Sequence, residues 1–158
     1  MPVDSLRDHV DVRGPRFAAW VTTAALLGVL AASAVSPTAA AVILAAQAVV
    51  FAVGALRGPR HHPYGALFAA WVAPRLGPVA EREPAAPLRF AQLVGLVFAL
   101  VGVAGFATGA TAVGLLATAC ALGAAFLNAA FGICLGCQLY PLIARLRTEP
   151  ARIPRPGN

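Results

Sequence analysis

Two long stretches without a charged side chain constrain this protein more than any other feature. Residues 17–56 and 90–144 contain no Asp, Glu, Lys or Arg. An apolar helix of about 20 residues crosses a hydrocarbon core ~30 Å thick, and each stretch is long enough for two such spans. A buried hairpin in a soluble protein is the alternative, and it fails on surface area. The chain has 158 residues, 59% hydrophobic and 11% charged, against about 25% charged in soluble domains. That is too little polar chain to cover so much apolar surface.

The predicted fold class is therefore all-α: a polytopic membrane protein with four transmembrane helices in two hairpins and a short interfacial helix. A polar lead covers residues 1–16. The first hairpin (17–56) has spans at 17–36 and 38–56, separated by Pro37, whose missing N–H and ring clash interrupt a helix. A loop rich in Pro and Arg covers 57–89. The second hairpin (90–142) has a span at 90–108, a turn at Gly109 and a fourth helix from about 110 to 142. A basic, Pro-rich tail (143–158) has a composition expected to stay disordered. Within the loop, Tyr64, Leu67, Phe68, Trp71, Val72 and Leu76 recur at helical spacing, which predicts a helix lying in the membrane interface over 64–76. Pro74 and its short length keep it from being a fifth span. Ala32-Ser33-Ala34 looks like a signal-peptide cleavage site. The long, half-acidic lead and an apolar run beyond the usual 7–15 residues argue against one.

All twelve basic residues are Arg. They lie in the lead, the central loop and the tail, and none lies in the turns at 36–38 and 108–111. By the positive-inside rule both termini and the loop are cytoplasmic, in a multi-pass protein of a bacterial-type inner membrane. The same placement accounts for the net charge of +6, so no nucleic-acid partner is expected. Arg16-Phe17-Ala18 and Arg89-Phe90-Ala91 open the first and third spans alike, as a parallel repeat would. Any Arg-anchored span begins this way, however, and the sequence alone slightly favours that simpler account.

The sharpest chemical feature is Cys134-Leu135-Gly136-Cys137. This spacing suits a redox dithiol, half of a zinc site or a sulfur-carrying pair. Zinc needs two further ligands, and only His61 and His62 are at hand on that side. Adjacent histidines point apart on most backbones, so neither a metal nor a cofactor is expected. If the fourth helix runs on to 142, the pair sits at the cytoplasmic boundary near a helix C-terminal end, where the dipole disfavours a thiolate. A regular helix keeps Cβ atoms three residues apart at ~5–6 Å, whereas a disulfide needs ~3.5–4.5 Å. A disulfide here thus requires irregular backbone between Gly132 and Pro141. The alternative is that Cys and Gly are small residues that let helices approach closely. Cys120, mid-span, is expected to be such a packing residue, and Gln47 and Asn128 are expected to hydrogen-bond between helices. No carboxylate, Lys or His lies within a span, which argues against a proton-coupled pump or a charged-substrate pathway.

The leading reading is a membrane thiol protein with Cys134 and Cys137 as its catalytic candidates, exchanging electrons or sulfane sulfur with a soluble partner. The other readings are a structural or scaffold subunit with packing cysteines, and a small-solute permease. Four spans enclose little pore, so the permease would have to work as a homo-oligomer.

Three segments also carry a resemblance. They are Asp11-Val12-Arg13-Gly14-Pro15-Arg16-Phe17, the third-span opening Arg89-Phe90-Ala91-Gln92-Leu93-Val94-Gly95-Leu96-Val97-Phe98, and Phe131-Gly132-Ile133-Cys134-Leu135-Gly136-Cys137-Gln138-Leu139-Tyr140. Together they resemble the bacterial membrane family called domain of unknown function 4395, over roughly residues 10–142. The cysteine segment is the most specific of the three. The resemblance implies no established activity. It associates the chain with thioredoxin-like proteins and sulfurtransferases, and so implies a thiol or sulfur role for Cys134 and Cys137 with a partner of one of those kinds.

Overall fold

The structure, a computed structural model, describes residues 9–147. The first half of the polar lead and most of the tail, with its expected disorder, lie outside these residues. Four helices are long and apolar enough to cross a membrane: α1 (Arg13–Ser33), α2 (Pro37–Arg57), α4 (Ala85–Ala107) and α5 (Thr111–Phe131). Between the hairpins lies α3 (Pro63–Leu67), and α6 (Leu135–Arg147) closes the chain. At ~1.5 Å per residue, the 21 to 23 residues of each long helix match the hydrocarbon thickness. Only 22–33% of each span's most apolar window is buried inside the bundle. The outward remainder is still apolar, with Trp20, Leu27, Val42 and Leu116 among its exposed residues. A bundle apolar inside and out is a membrane bundle.

The ends of the spans depart from the sequence expectation for local reasons. Helix α1 starts before Phe17, because Asp11 Oδ1 accepts the Arg13 backbone N–H at 3.0 Å. Pro37 is the first residue of α2, with Ser36 Oγ capping the Ala39 N–H at 3.2 Å. Proline is tolerated there because the first-turn N–H has no helical partner. Helix α4 extends back to Ala85, with Pro87 within its first turn. The segment 64–76, expected to be one helix, is a continuous helical run in three pieces: α3, a π turn (Phe68–Val72) and a 3-10 turn (Ala73–Arg75). Phe68 packs inward against Phe17, with ring centroids 5.7 Å apart, while Trp71 is 65% exposed.

The largest departure is in the fourth helix. It ends at Phe131 rather than running to 142. Gly132 takes the left-handed conformation (φ 69°), and Ile133 N–H bonds back to Leu127 O at 3.2 Å. With the Gly132 N–H bonded to Asn128 O at 3.0 Å, this is a left-handed glycine cap, and α6 is a separate helix.

The repeat is real, contrary to the simpler account favoured by the sequence. Arg16 donates from its guanidinium to Ala129 O (3.1 Å) and Ala130 O (3.0 Å), capping α5. Arg89 donates in the same way to Ala55 O (3.1 Å) and Leu56 O (3.0 Å), capping α2. Each hairpin's opening arginine thus satisfies carbonyls that end the other hairpin's second helix. Two short strands, β1 (His9–Asp11) and β2 (Arg82–Pro84), pair antiparallel with Val10 opposite Glu83. That pair and the pair Arg16/Arg89 have the same sequence separation, as expected if a pseudo-two-fold axis runs through the strand pair. Both α2 and α5 end at a positive-φ glycine, Gly58 and Gly132. Phe17 meets Phe68 as Phe90 meets Tyr140. The repeat unit is therefore three helices, α1–α2–α3 and α4–α5–α6.

Each arginine cap is partly solvent-exposed, so a charged hydrogen bond there contributes at the low end of its range, about 1 kcal/mol. Arg16→Ala and Arg89→Ala are each expected to lower stability by about that amount and to add in the double variant. Equilibrium unfolding in detergent micelles measures this. A large loss from one and none from the other would contradict equivalent caps.

The core where the helices cross contains Leu26, Val29, Leu44, Phe51 and Phe106. At the α4–α5 turn the backbones touch: a Cβ built on Gly105 would lie 2.5 Å from Gly114 N.

Candidate functional site

The cysteine pair follows directly from the break at Gly132. Cys134 immediately precedes α6, and its carbonyl accepts the Gln138 N–H at 3.1 Å as the first bond of that helix. Its Sγ accepts the Cys137 backbone N–H at 3.3 Å. Cys134 is thus the N-cap of α6, with its sulfur in the place a capping oxygen usually takes. This corrects the expectation of a helix C-terminal end. The dipole of α6 now favours negative charge on Cys134 Sγ. The two sulfurs lie at disulfide distance, with Cα atoms 5.2 Å apart. That separation lies within the range unstrained disulfides use, and the irregular backbone it requires is Gly132–Cys134. Gly136, between the cysteines, lets α6 lie directly on α4: a Cβ there would fall 2.6 Å from Ala91 Cα.

The other sequence candidates are distributed differently. Cys120 is a free thiol on the exposed face of α5, not a packed core residue. His61 is exposed, with Nδ1 3.0 Å from Arg57 O, whereas His62 is 3% exposed. The two point apart. No three His, Cys, Asp or Glu side chains gather to hold a metal among the described residues. Gln47, also 3% exposed, accepts the Tyr64 O–H at 2.8 Å. It joins α2 to α3, the interelement hydrogen bonding expected of it.

A buried polar cluster around His62 was not legible in the sequence. His62 is the residue before α3, the position Cys134 holds before α6. Its ring meets Tyr64 at 5.4 Å, edge to face. Gln47 Nε2 is buried without a hydrogen-bond partner, and the His62 ring nitrogens and Gln92 Oε1 have none in ordinary hydrogen-bond geometry, although the Gln92 amide lies beside the ring. Gly54 makes room for the cluster, since a Cβ there would fall 2.6 Å from His62 Cδ2. The one available signal was that Gln47 and Gln92 interrupt otherwise apolar spans. A cavity of about 350 Å³ adjoins His62 and Phe68. Its counterpart in the second repeat, about 470 Å³, adjoins Cys134 and Leu139. Gln92 lines both.

Burial lowers the His62 pKa, and the Gln92 amide opposes this only in part. The native state therefore binds its proton less readily than the unfolded chain does. The stability contribution is full above the ordinary value of 6.5 and is lost as pH falls below it, at most about 1.4 kcal/mol per pH unit for one proton. Unfolding of His62→Leu should lack the part of the pH slope that the wild type shows in that window. An unchanged slope would place the acid sensitivity in another group.

A family model, the domain of unknown function 4395, matches residues 10–145. No curated protein matches the chain. No solved structure matches it. The match runs from within β1 to within the cysteine-bearing α6, and the chain belongs to the domain of unknown function 4395 family.

Proposed function

We propose that this protein is a membrane-embedded thiol–disulfide exchange component acting through Cys134 and Cys137. The observation that carries the reading is the capping geometry. Cys134 Sγ sits at the N-terminal end of α6 and accepts a backbone N–H, and its partner sulfur is at disulfide distance. Reactive thiols occur in such settings because the dipole and the N–H favour the thiolate, which is the attacking species. Packing alone would account for small residues, but it gives no reason for one sulfur to cap a helix while a second stands at bonding distance.

The orientation belongs to the same proposal. With all arginines on one side, both termini, the 57–89 segment and the pair face the cytoplasm, where thiols are kept reduced. Residues 64–76 then lie along the interface, with the exposed Trp71 at headgroup depth. The natural partner is a soluble dithiol or persulfide protein of the thioredoxin-like or sulfurtransferase kind. Sealed vesicles of both orientations, treated with a membrane-impermeant maleimide after mild reduction, test the reading. Labelling of Cys134 in inside-out vesicles only, lost after a disulfide oxidant and restored by a dithiol, is expected. Labelling from the opposite face overturns the orientation. A pair that no oxidant or reductant interconverts overturns the function and leaves the scaffold reading.

A further inference from the structure

The cavity of about 470 Å³ beside Cys134 lies between α1, α4, α5 and α6, in the half of the bundle nearer the cysteines. Cys120 and Gly123 line it from α5 and both are exposed, so the cavity is open at the side of this span. Its walls are mainly small and apolar, with Phe51 and Phe98 among them. Two amides interrupt them, Gln92 from α4 and Asn128 from α5, and Gln92 Oε1, beside the His62 ring, has no partner in ordinary hydrogen-bond geometry. The volume is that of a small-molecule site.

Resting on the thiol-exchange reading, we infer that this cavity receives the ring of a lipid quinone and that the cysteine pair exchanges its electrons with it. Four requirements select this occupant. It must be apolar enough for these walls and must enter from the bilayer. It must carry polar atoms for two separated amides. It must also take up the two electrons and two protons that a dithiol releases. A lipid acyl chain meets only the first two. An amide suits both redox forms, because its N–H groups donate to quinone carbonyls and its C=O accepts from quinol hydroxyls.

The step balances without a further reagent. The S–H bonds of Cys134 and Cys137 break and one S–S bond forms. Two electrons and two protons pass to the quinone, whose two carbonyl oxygens become the two hydroxyls of the quinol. The soluble dithiol of the proposed function then reduces the Cys134–Cys137 disulfide by exchange and is itself left as a disulfide.

The test uses the full chain in quinone-free lipid nanodiscs and a short-tailed benzoquinone whose ring is fully substituted, so that thiols cannot add to it. Reduced protein should lose two thiols and form one quinol per chain. Gly123→Phe should slow this at least tenfold while exchange with a soluble dithiol stays at the wild-type rate. Gly123 lines the cavity and a Cβ there meets no atom within 4 Å, so the larger side chain at its wall does not disturb the core. Binding is read separately in Cys134→Ser/Cys137→Ser protein carrying Trp71→Phe, as saturable quenching of Trp20 by the oxidised quinone. Normal dithiol exchange with no quinol and no quenching overturns the inference and leaves the thiol reading intact. Quinone reduction unaffected by Gly123→Phe overturns the cavity as its site. Failed exchange with saturable quenching overturns the thiol reading and the electron transfer, and upholds the quinone site alone.

Discussion

Cys134→Ser should abolish thiol–disulfide exchange, and Cys137→Ser should yield a protein that captures its partner and cannot release it. The asymmetry comes from the start of α6. Cys134 caps the helix and receives the Cys137 N–H on its sulfur, a setting that favours negative charge at that atom, so on the proposed reading the attacking thiolate should form there. Cys137 lies further in, inside α6, and on the same reading should resolve the mixed disulfide formed at Cys134. Without Cys137 that intermediate persists, and it should be seen as a dithiol-sensitive band at the combined mass of the two proteins on a non-reducing gel. Serine at 134 still caps the helix, so the fold should be retained and the loss should be of chemistry alone. Trapping by Cys134→Ser, with none by Cys137→Ser, would reverse the assignment of the two roles.

Gly105→Leu should be the most destabilising single substitution in the spans, by about 3 kcal/mol or more, because overpacking costs most where nothing can yield. A Cβ at Gly105 meets Gly114 N at 2.5 Å, Gly114 Cα at 3.0 Å and Ala110 O at 3.2 Å. All three are backbone atoms of α5 and its N-cap, so the hairpin itself must open. Gly28→Ala is the control on α1: its Cβ meets nothing within 4 Å, and it should be neutral or slightly stabilising by helix propensity. Unfolding in mixed micelles measures both. Equal effects would mean that the α4–α5 approach is looser than the structure has it.

The number of spans, their approximate ends and the all-α class were legible in the charge distribution. The hydrocarbon core imposes one length and one chemistry on every crossing segment, and both are written locally in the chain. The cysteine spacing was equally plain, as were the glycines that make irregular backbone available at 132–137.

The sign of the helix dipole at the pair was not legible. It depends on whether the helix stops at Gly132 or runs through it, and the apolar run continues across the break. In water a change from apolar to polar side chains would mark the boundary. Where α6 packs on α4 through Gly136, no such change is required. The repeat was hidden for a related reason. Its signature is the reciprocal capping of α5 by Arg16 and of α2 by Arg89, contacts between residues distant in sequence, whereas the shared tripeptide is short and common.

By itself, then, the sequence determined that the chain lives in a bilayer, how often it crosses, and which two sulfurs are neighbours, because burial in lipid and short-range spacing act on each segment independently. Only the tertiary structure decided which end of a helix the sulfurs occupy, that His62 holds the matching position in the other repeat, and that Gln92 lines a cavity beside each. Those relations are set by how one hairpin packs on the other, which no local run of residues specifies.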